Sequence, residues 1–147
     1  MSVPAFSIRE CLPADAEALA ELSLRGLGYD YPADALAENL RRILRRESDR
    51  ILVAEVDGAA AGYIHGCDYE VLYAPPMKNI LGIAVAEAYR GHGIGRALLR
   101  EIERWAKESG AAGVRLCSGA ARTGAHEFYR RCGYGGEKGQ LNFKKMF

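Results

Sequence analysis

At 147 residues the chain has the length of one domain able to bury a real core, and its 49% apolar and 27% charged residues are the balance of a soluble globular protein. A net charge of +1 excludes a global basic field aimed at nucleic acid or anionic lipid, so any basic site has to be local. Cys11, Cys67, Cys117 and Cys132 share no CxxC spacing and have few histidines nearby, which suggests neither a zinc site nor a disulfide framework and fits reduced thiols in the cytosol. The first residues, MSVPAFSIRE, lack the basic region and apolar core of a signal peptide, and no apolar run approaches the ~20 residues that span a bilayer. The expectation is a cytoplasmic protein with no metal, no nucleic-acid partner and no membrane partner.

Residues 5–10 alternate as a first strand, and Leu12-Pro13-Ala14-Asp15 starts a helix over 15–25. The stretch 26–32 (GLGYDYP) breaks it. Asp34 is placed to cap a second helix that carries Leu36, Leu40, Ile43 and Leu44 on one face. Arg41, Arg42, Arg45 and Arg46 crowd its other side, either as a solvated face or as an attraction for an anion. Residues 50–56 and 59–69 flank Asp57-Gly58 and read as a hairpin. Its second strand is expected to stop before Pro75-Pro76, with a third strand over 77–86. A helix follows, with Ile94, Leu98, Ile102 and Trp105 on one face. Then come a short strand over 114–118, a second amphipathic helix over 123–131 ended by Gly133, and a tail with one or two strands around 141–143. The order βααβββαβαβ predicts a single α/β (α+β) domain over residues 1–147, a mixed sheet with helices on its faces.

The chain is organised around residues 80–99, where an apolar strand passes through a polar elbow, Glu87 to Tyr89, into Arg90-Gly91-His92-Gly93-Ile94-Gly95-Arg96 and then a helix. Glycine lets backbone approach a ligand closely, the first turn of a helix has donors without internal partners, and the helix dipole adds positive charge there. These features predict an anion cradle. A dinucleotide fingerprint does not fit, because Leu98 stands where its third glycine would fall and the strand follows a run of antiparallel ones. No Gly-Lys-Ser/Thr follows, which excludes a P-loop.

Ile83-Ala84-Val85 followed by residues 90–99 resembles the acetyl-CoA signature of the GNAT superfamily of N-acyltransferases, R/Q-x-x-G-x-G/A. Downstream, Ala125-His126-Glu127-Phe128-Tyr129-Arg130-Arg131-Cys132-Gly133-Tyr134 is similar to that family's second block, A-x-x-F/L-Y-x-x-x-G-F/Y. The resemblance implies a GNAT-like, mostly antiparallel sheet with helices on both faces and a splayed central strand pair. It implies acetyl-CoA as co-substrate, its pyrophosphate on the amides of residues 91–96 and its pantetheine arm beside Ile83, Ala84 and Val85. Arg90, Arg96, His92 and Arg122 are candidates for charge on the phosphates, with His92 equally readable as an exposed loop histidine. Tyr129 shares a helix face with Ala125, Phe128 and Cys132, and the resemblance makes its hydroxyl the acid that protonates the departing thiolate. The reaction implied is direct attack of a primary amine on the thioester, with a backbone N–H of Ile83 or Ala84 on the oxyanion.

The sequence departs from the family where a base is needed. Gly82, Cys117 and Arg122 stand at positions where members carry glutamate, glutamate and asparagine. Asp68, Glu70 and His65 are substitutes on position alone. The Arg122, Ala125, His126, Phe128, Tyr129 pattern is similar to members acting on small amines, and Asp68, Tyr69, Glu70 and Tyr73 suit a cationic one. A peptide N-terminus or lysine as acceptor is the alternative, and a CoA-binding domain without catalysis is another. Leu141 to Phe147 is a candidate contact of a homodimer.

Overall fold

The computed structural model describes residues 4–147, which fall into two units, one ending at Leu116 and the other spanning Cys117–Phe147. The first unit runs β1 (Ser7–Glu10), a 3₁₀ turn (Pro13–Asp15), α1 (Ala16–Leu27), α2 (Ala33–Leu44), β2 (Asp49–Val56), β3 (Ala59–Val71) and β4 (Ala74–Val85). A second 3₁₀ turn (Glu87–Tyr89), α3 (Ile94–Glu108) and β5 (Val114–Leu116) complete it. The second unit contains α4 (Thr123–Arg131). The sheet order is β1-β2-β3-β4-β5, antiparallel except for β5, which lies parallel to β4.

The Asp57-Gly58 signal makes the β2–β3 hairpin, with φ of 49° and 79° at its two turn residues. Two positive φ values give a turn whose twist matches that of the strands it joins. Register then sorts the side chains. Ile51, Val53, Tyr63 and Ala84 join Leu19, Leu22 and Leu40 of α1 and α2 in one buried cluster. On the other face Gly62 and Gly66 leave room for α3. A Cβ at Gly66 would stand 3.0 Å from Ile102 Cδ1, and one at Gly62 would stand 3.4 Å from Ile94 Cγ2. Ile94, Leu98 and Ile102 are fully buried there, so the predicted apolar face of α3 is the one that packs.

Three local expectations are corrected. The helix over 33–44 is not capped by Asp34. Pro32 is its N-cap, Leu36 N–H reaches the Pro32 carbonyl at 2.9 Å, and Asp34 sits in the first turn, where its charge meets the positive end of the helix. Pro75-Pro76 does not stop a strand but lies inside β4. The β3–β4 register shifts between Tyr69 and Val71, so the prolines occupy a bulge where no ladder N–H is needed. The tail has no strand. Leu141 and Phe143 are 81% and 85% exposed, because alternation without a neighbouring strand to pair with leaves the backbone unsatisfied and the glycines Gly135, Gly136 and Gly139 weaken any extended run. Among the described residues no helix is long and apolar enough to cross a membrane.

Candidate active site

The site begins where β4 loses a neighbour. β5 pairs with β4 only over Lys78 to Ile80. Leu81 is an extra residue in β4, since Gly66 faces Ile80 while His65 faces Gly82. Beyond this bulge β4 continues to Val85 along β3, and among the described residues no strand covers its other edge. Ala86 N–H donates to the Ala61 carbonyl at 2.7 Å, which makes that opposed pair a hydrogen-bonded one. Antiparallel pairs alternate, so Ala84 bonds toward Tyr63 while the amides of Ile83 and Val85 point to the open edge. This is the splayed pair expected from the sequence. It also separates Ile83 from Ala84 as the source of an outward N–H.

The open edge leads into the glycine turn. Gly91 and Gly93 have φ of 79° and 86°, in the left-handed region, and Gly93 is the N-cap of α3. Its carbonyl accepts from Ala97 N–H at 3.0 Å, and no side chain caps the helix. The N–H groups of Ile94 and Gly95 therefore precede the first intrahelical donor and point out of the start of the helix, where an anion would meet them. Ile94 itself is buried and anchors the turn to the core. His92 is half-buried, and Arg96 is exposed. Arg90 folds back instead, donating from Nε to the Val85 carbonyl at 3.1 Å.

On the face covered by α1 and α2, Gly82 leaves an open patch of strand. A Cβ there would meet only Tyr63 Oη at 3.6 Å and Leu27 Cδ1 at 3.8 Å. Tyr63 shares a 2.8 Å hydroxyl–hydroxyl hydrogen bond with Ser23, and burial pushes its phenol up against the lowering effect of that bond. His65 and Asp49 lie on the same face, with His65 Nε2 2.7 Å from Asp49 Oδ2, while Ser48 Oγ donates to Asp49 Oδ1 at 2.8 Å. Burial works to raise the Asp49 carboxyl, but the bonds from His65 and Ser48 and the charges of His65 and Arg46 outweigh it and hold it below the usual carboxylate range. Asp68 is elsewhere. It pairs with Lys78, whose ammonium sits 4.0 Å from the centre of the Trp105 ring on the α3 face. Glu70, at the register shift between Tyr69 and Val71, is exposed.

In the second unit, Ala125, Phe128, Tyr129 and Cys132 are the half-buried stripe of α4, as their spacing predicts. Tyr129 packs edge-on against Phe128 and Tyr134, with ring centroids at 5.4 and 6.2 Å. Burial raises its phenol above the ordinary value, the Arg122 charge pulls it down and Cys132 pushes it up. Arg122 is the exposed N-cap of α4.

Residues 16–134 match the model of the acetyltransferase (GNAT) family. The chain belongs to the GNAT family. It is 30% identical over 143 residues to an aminoglycoside N(6')-acetyltransferase type 1 of Stenotrophomonas maltophilia, covering 91% of this chain and 89% of that one. Among solved structures, the aminoglycoside N-acetyltransferase AAC(6')-Iy in complex with CoA superposes with a TM-score of 0.86 at 18% identity, over 97% of this chain and 95% of that one. The same enzyme with the bisubstrate analog CoA-S-monomethyl-acetylneamine gives a TM-score of 0.85 at 19% identity, over 97% and 99%. This GNAT protein is thus an N-acetyltransferase.

The first unit of this GNAT enzyme brings together Ile83, Ala84, Val85 and Arg90 through Arg96 on one strand, turn and helix start. Tyr129 and Arg122 belong to the second unit. Sequence reasoning did not single out Tyr63, Ser23 or Asp49. Period-two alternation through β3 from Tyr63 to His65 was the available signal, but Asp49 and Ser23 lie on other elements and only the register joins them to it.

Proposed function

We propose that residues 1–147 act as a single N-acetyltransferase domain that moves the acetyl group of acetyl-CoA to a primary amine of a small molecule by direct attack. The observation that carries this is the open edge of β4 running into a glycine turn at the start of α3. The outward amides of Ile83 and Val85 offer partners to the amide-rich pantetheine arm, and the N–H groups of residues 91–96 offer donors to the pyrophosphate. Arg96 and His92 add charge on the turn. Arg90 holds the Val85 carbonyl through Nε and brings its charge to the same turn as a further phosphate contact. On the second unit the matched motif makes Arg122 a further cofactor contact.

Acetyl transfer needs an oxyanion stabiliser and an acid for the thiolate. The Ile83 N–H, free of the β3 ladder, supplies the first, a more specific choice than Ile83 or Ala84. Tyr129 supplies the second, since burial keeps its phenol protonated at neutral pH. A small amine as acceptor is supported by the Stenotrophomonas maltophilia relative and by the bisubstrate complex of AAC(6')-Iy. The test is release of free thiol from acetyl-CoA against a panel of small amines, aminoglycosides included, and of peptides. Turnover confined to small amines is expected; turnover of peptides alone would overturn the acceptor assignment, and binding of CoA without any turnover would overturn the reaction.

A further inference from the structure

An amine is an ammonium ion at neutral pH and must lose a proton before its nitrogen can attack. Gly82 brings no side chain to the strand beside Ile83. What the fold places there comes from the neighbouring strand. His65 is the cross-strand partner of Gly82, and a hydrogen-bonded antiparallel pair of this kind has Cα atoms about 5.5 Å apart. Both residues face α1 and α2, the side on which Gly82 leaves the strand open.

From this arrangement, and resting on the reaction proposed above, we infer that His65 is the general base for the acceptor amine and that Asp49 is the residue that positions it. Asp49 is only 7% exposed at its side chain and His65 16%, so the pair is sheltered without being sealed. An ionised carboxylate can only accept, which assigns the ring proton to Nε2 and leaves the basic lone pair on Nδ1. Nδ1 has no hydrogen-bond partner among the described residues. Ser48 fills the second Asp49 oxygen, so the carboxylate cannot turn away from the ring without breaking two bonds. The proton moves from the ammonium to His65 Nδ1, directly or through one water. The freed nitrogen pair forms the N–C bond, the C–S bond breaks as its electrons leave on sulfur, Tyr129 protonates the thiolate, and the second proton that the acylated nitrogen sheds as it becomes an amide restores the Tyr129 phenol. The imidazolium then returns its proton to solvent, so the net release is one proton per amide formed.

The rival carboxylates are removed by the same register. Asp68 points to the α3 face and is held by Lys78, and Glu70 is exposed at the register shift between Tyr69 and Val71, five residues along β3 from the partner of Gly82. The titratable or charged groups placed with this pair are Asp49 on β2, Arg46 before β2, whose charge acts on Asp49, and Tyr63 and Cys67, which flank His65 on the same face of β3. Of these, Asp49 alone contacts the ring by a hydrogen bond.

The experiment is the pH profile of kcat/KM for an amine turned over by the wild type, compared with His65→Gln and Asp49→Asn, alongside the dissociation constant for CoA and the thermal midpoint. His65→Gln is expected to lose about 100-fold or more in kcat/KM and its acidic limb, with CoA affinity unchanged and partial rescue by added imidazole. Asp49→Asn is expected to lose about 10-fold or more in kcat with the KM for the amine and the CoA affinity held, since the ring loses the carboxylate that keeps its proton on Nε2. A His65→Gln enzyme within about threefold of wild type, or an Asp49→Asn enzyme with unchanged kcat, would overturn the assignment. So would losses in His65→Gln that follow its thermal midpoint and CoA affinity. If His65→Gln fails to fold, the kcat of Asp49→Asn, read against its KM for the amine, decides alone. A wild type that turns over no amine would instead refute the proposed reaction, with CoA binding in the same series separating the two failures.

Discussion

Asp15 shows how one side chain can fix the way the chain enters a helix. Its carboxylate accepts Leu12 N–H at 2.8 Å and a two-pronged contact from Arg9, at 2.8 and 2.9 Å. The Arg9 hydrogen bond, against the opposing effect of burial, holds the carboxyl below its ordinary range. A depressed folded value stabilises above the unfolded pKa of ~3.9 and is lost as pH falls through the folded value. Arg9→Met should therefore cost about 1–3 kcal/mol at pH 7, and the gap from wild type in denaturant titrations should close below about pH 4. Next to this pair, burial and the Asp15 charge push the Cys11 thiol up to about 12, so it is an inert core thiol. Tyr129 makes the other residue-scale case. Tyr129→Phe keeps the ring contacts with Phe128 and Tyr134 and removes only the hydroxyl. Thermal stability should hold while kcat falls roughly 100-fold, measured by thiol release.

At the scale of elements, the turn before α3 depends on backbone shape. A Cβ at Gly93 would meet nothing within 4 Å, so the strain of Gly93→Ala comes from its φ of 86° alone. The left-handed region costs an alanine about 1–2 kcal/mol. If the turn binds the pyrophosphate, the variant should raise the KM for acetyl-CoA more than it lowers kcat, which steady-state kinetics against both substrates will separate. The glycine spacing and the Tyr129 stripe were legible in the sequence because each is set within a few residues of chain. The partner of His65 was not. It depends on Leu81 bulging out of β4, and one extra residue decides which side chains share a face.

For the whole fold, the sheet with α3 against one side and α1 and α2 against the other carries the stability of the first unit. Ile64 is fully buried near the middle of β3, on the α3 side. Ile64→Ala should cost about 2–5 kcal/mol in chemical denaturation, by lost burial plus the cavity left behind. The element order up to β5 followed from periodicity and turn chemistry, whereas the tail misled because Leu141 and Phe143 alternate as a strand does yet remain exposed.

By itself the sequence determined the local features: the hairpin turn, the glycine turn before α3, the apolar face of that helix and the inward stripe of α4. Each is fixed by φ preferences or by the period of side chains along one element. Only the tertiary structure decided which edge of β4 is open, which amide of that edge faces outward, and which of Asp68, Glu70 and His65 stands beside Gly82. Those choices depend on pairing between strands far apart in the chain. A strand repeats every two residues, so a single bulge reverses the answer, and no local pattern records it.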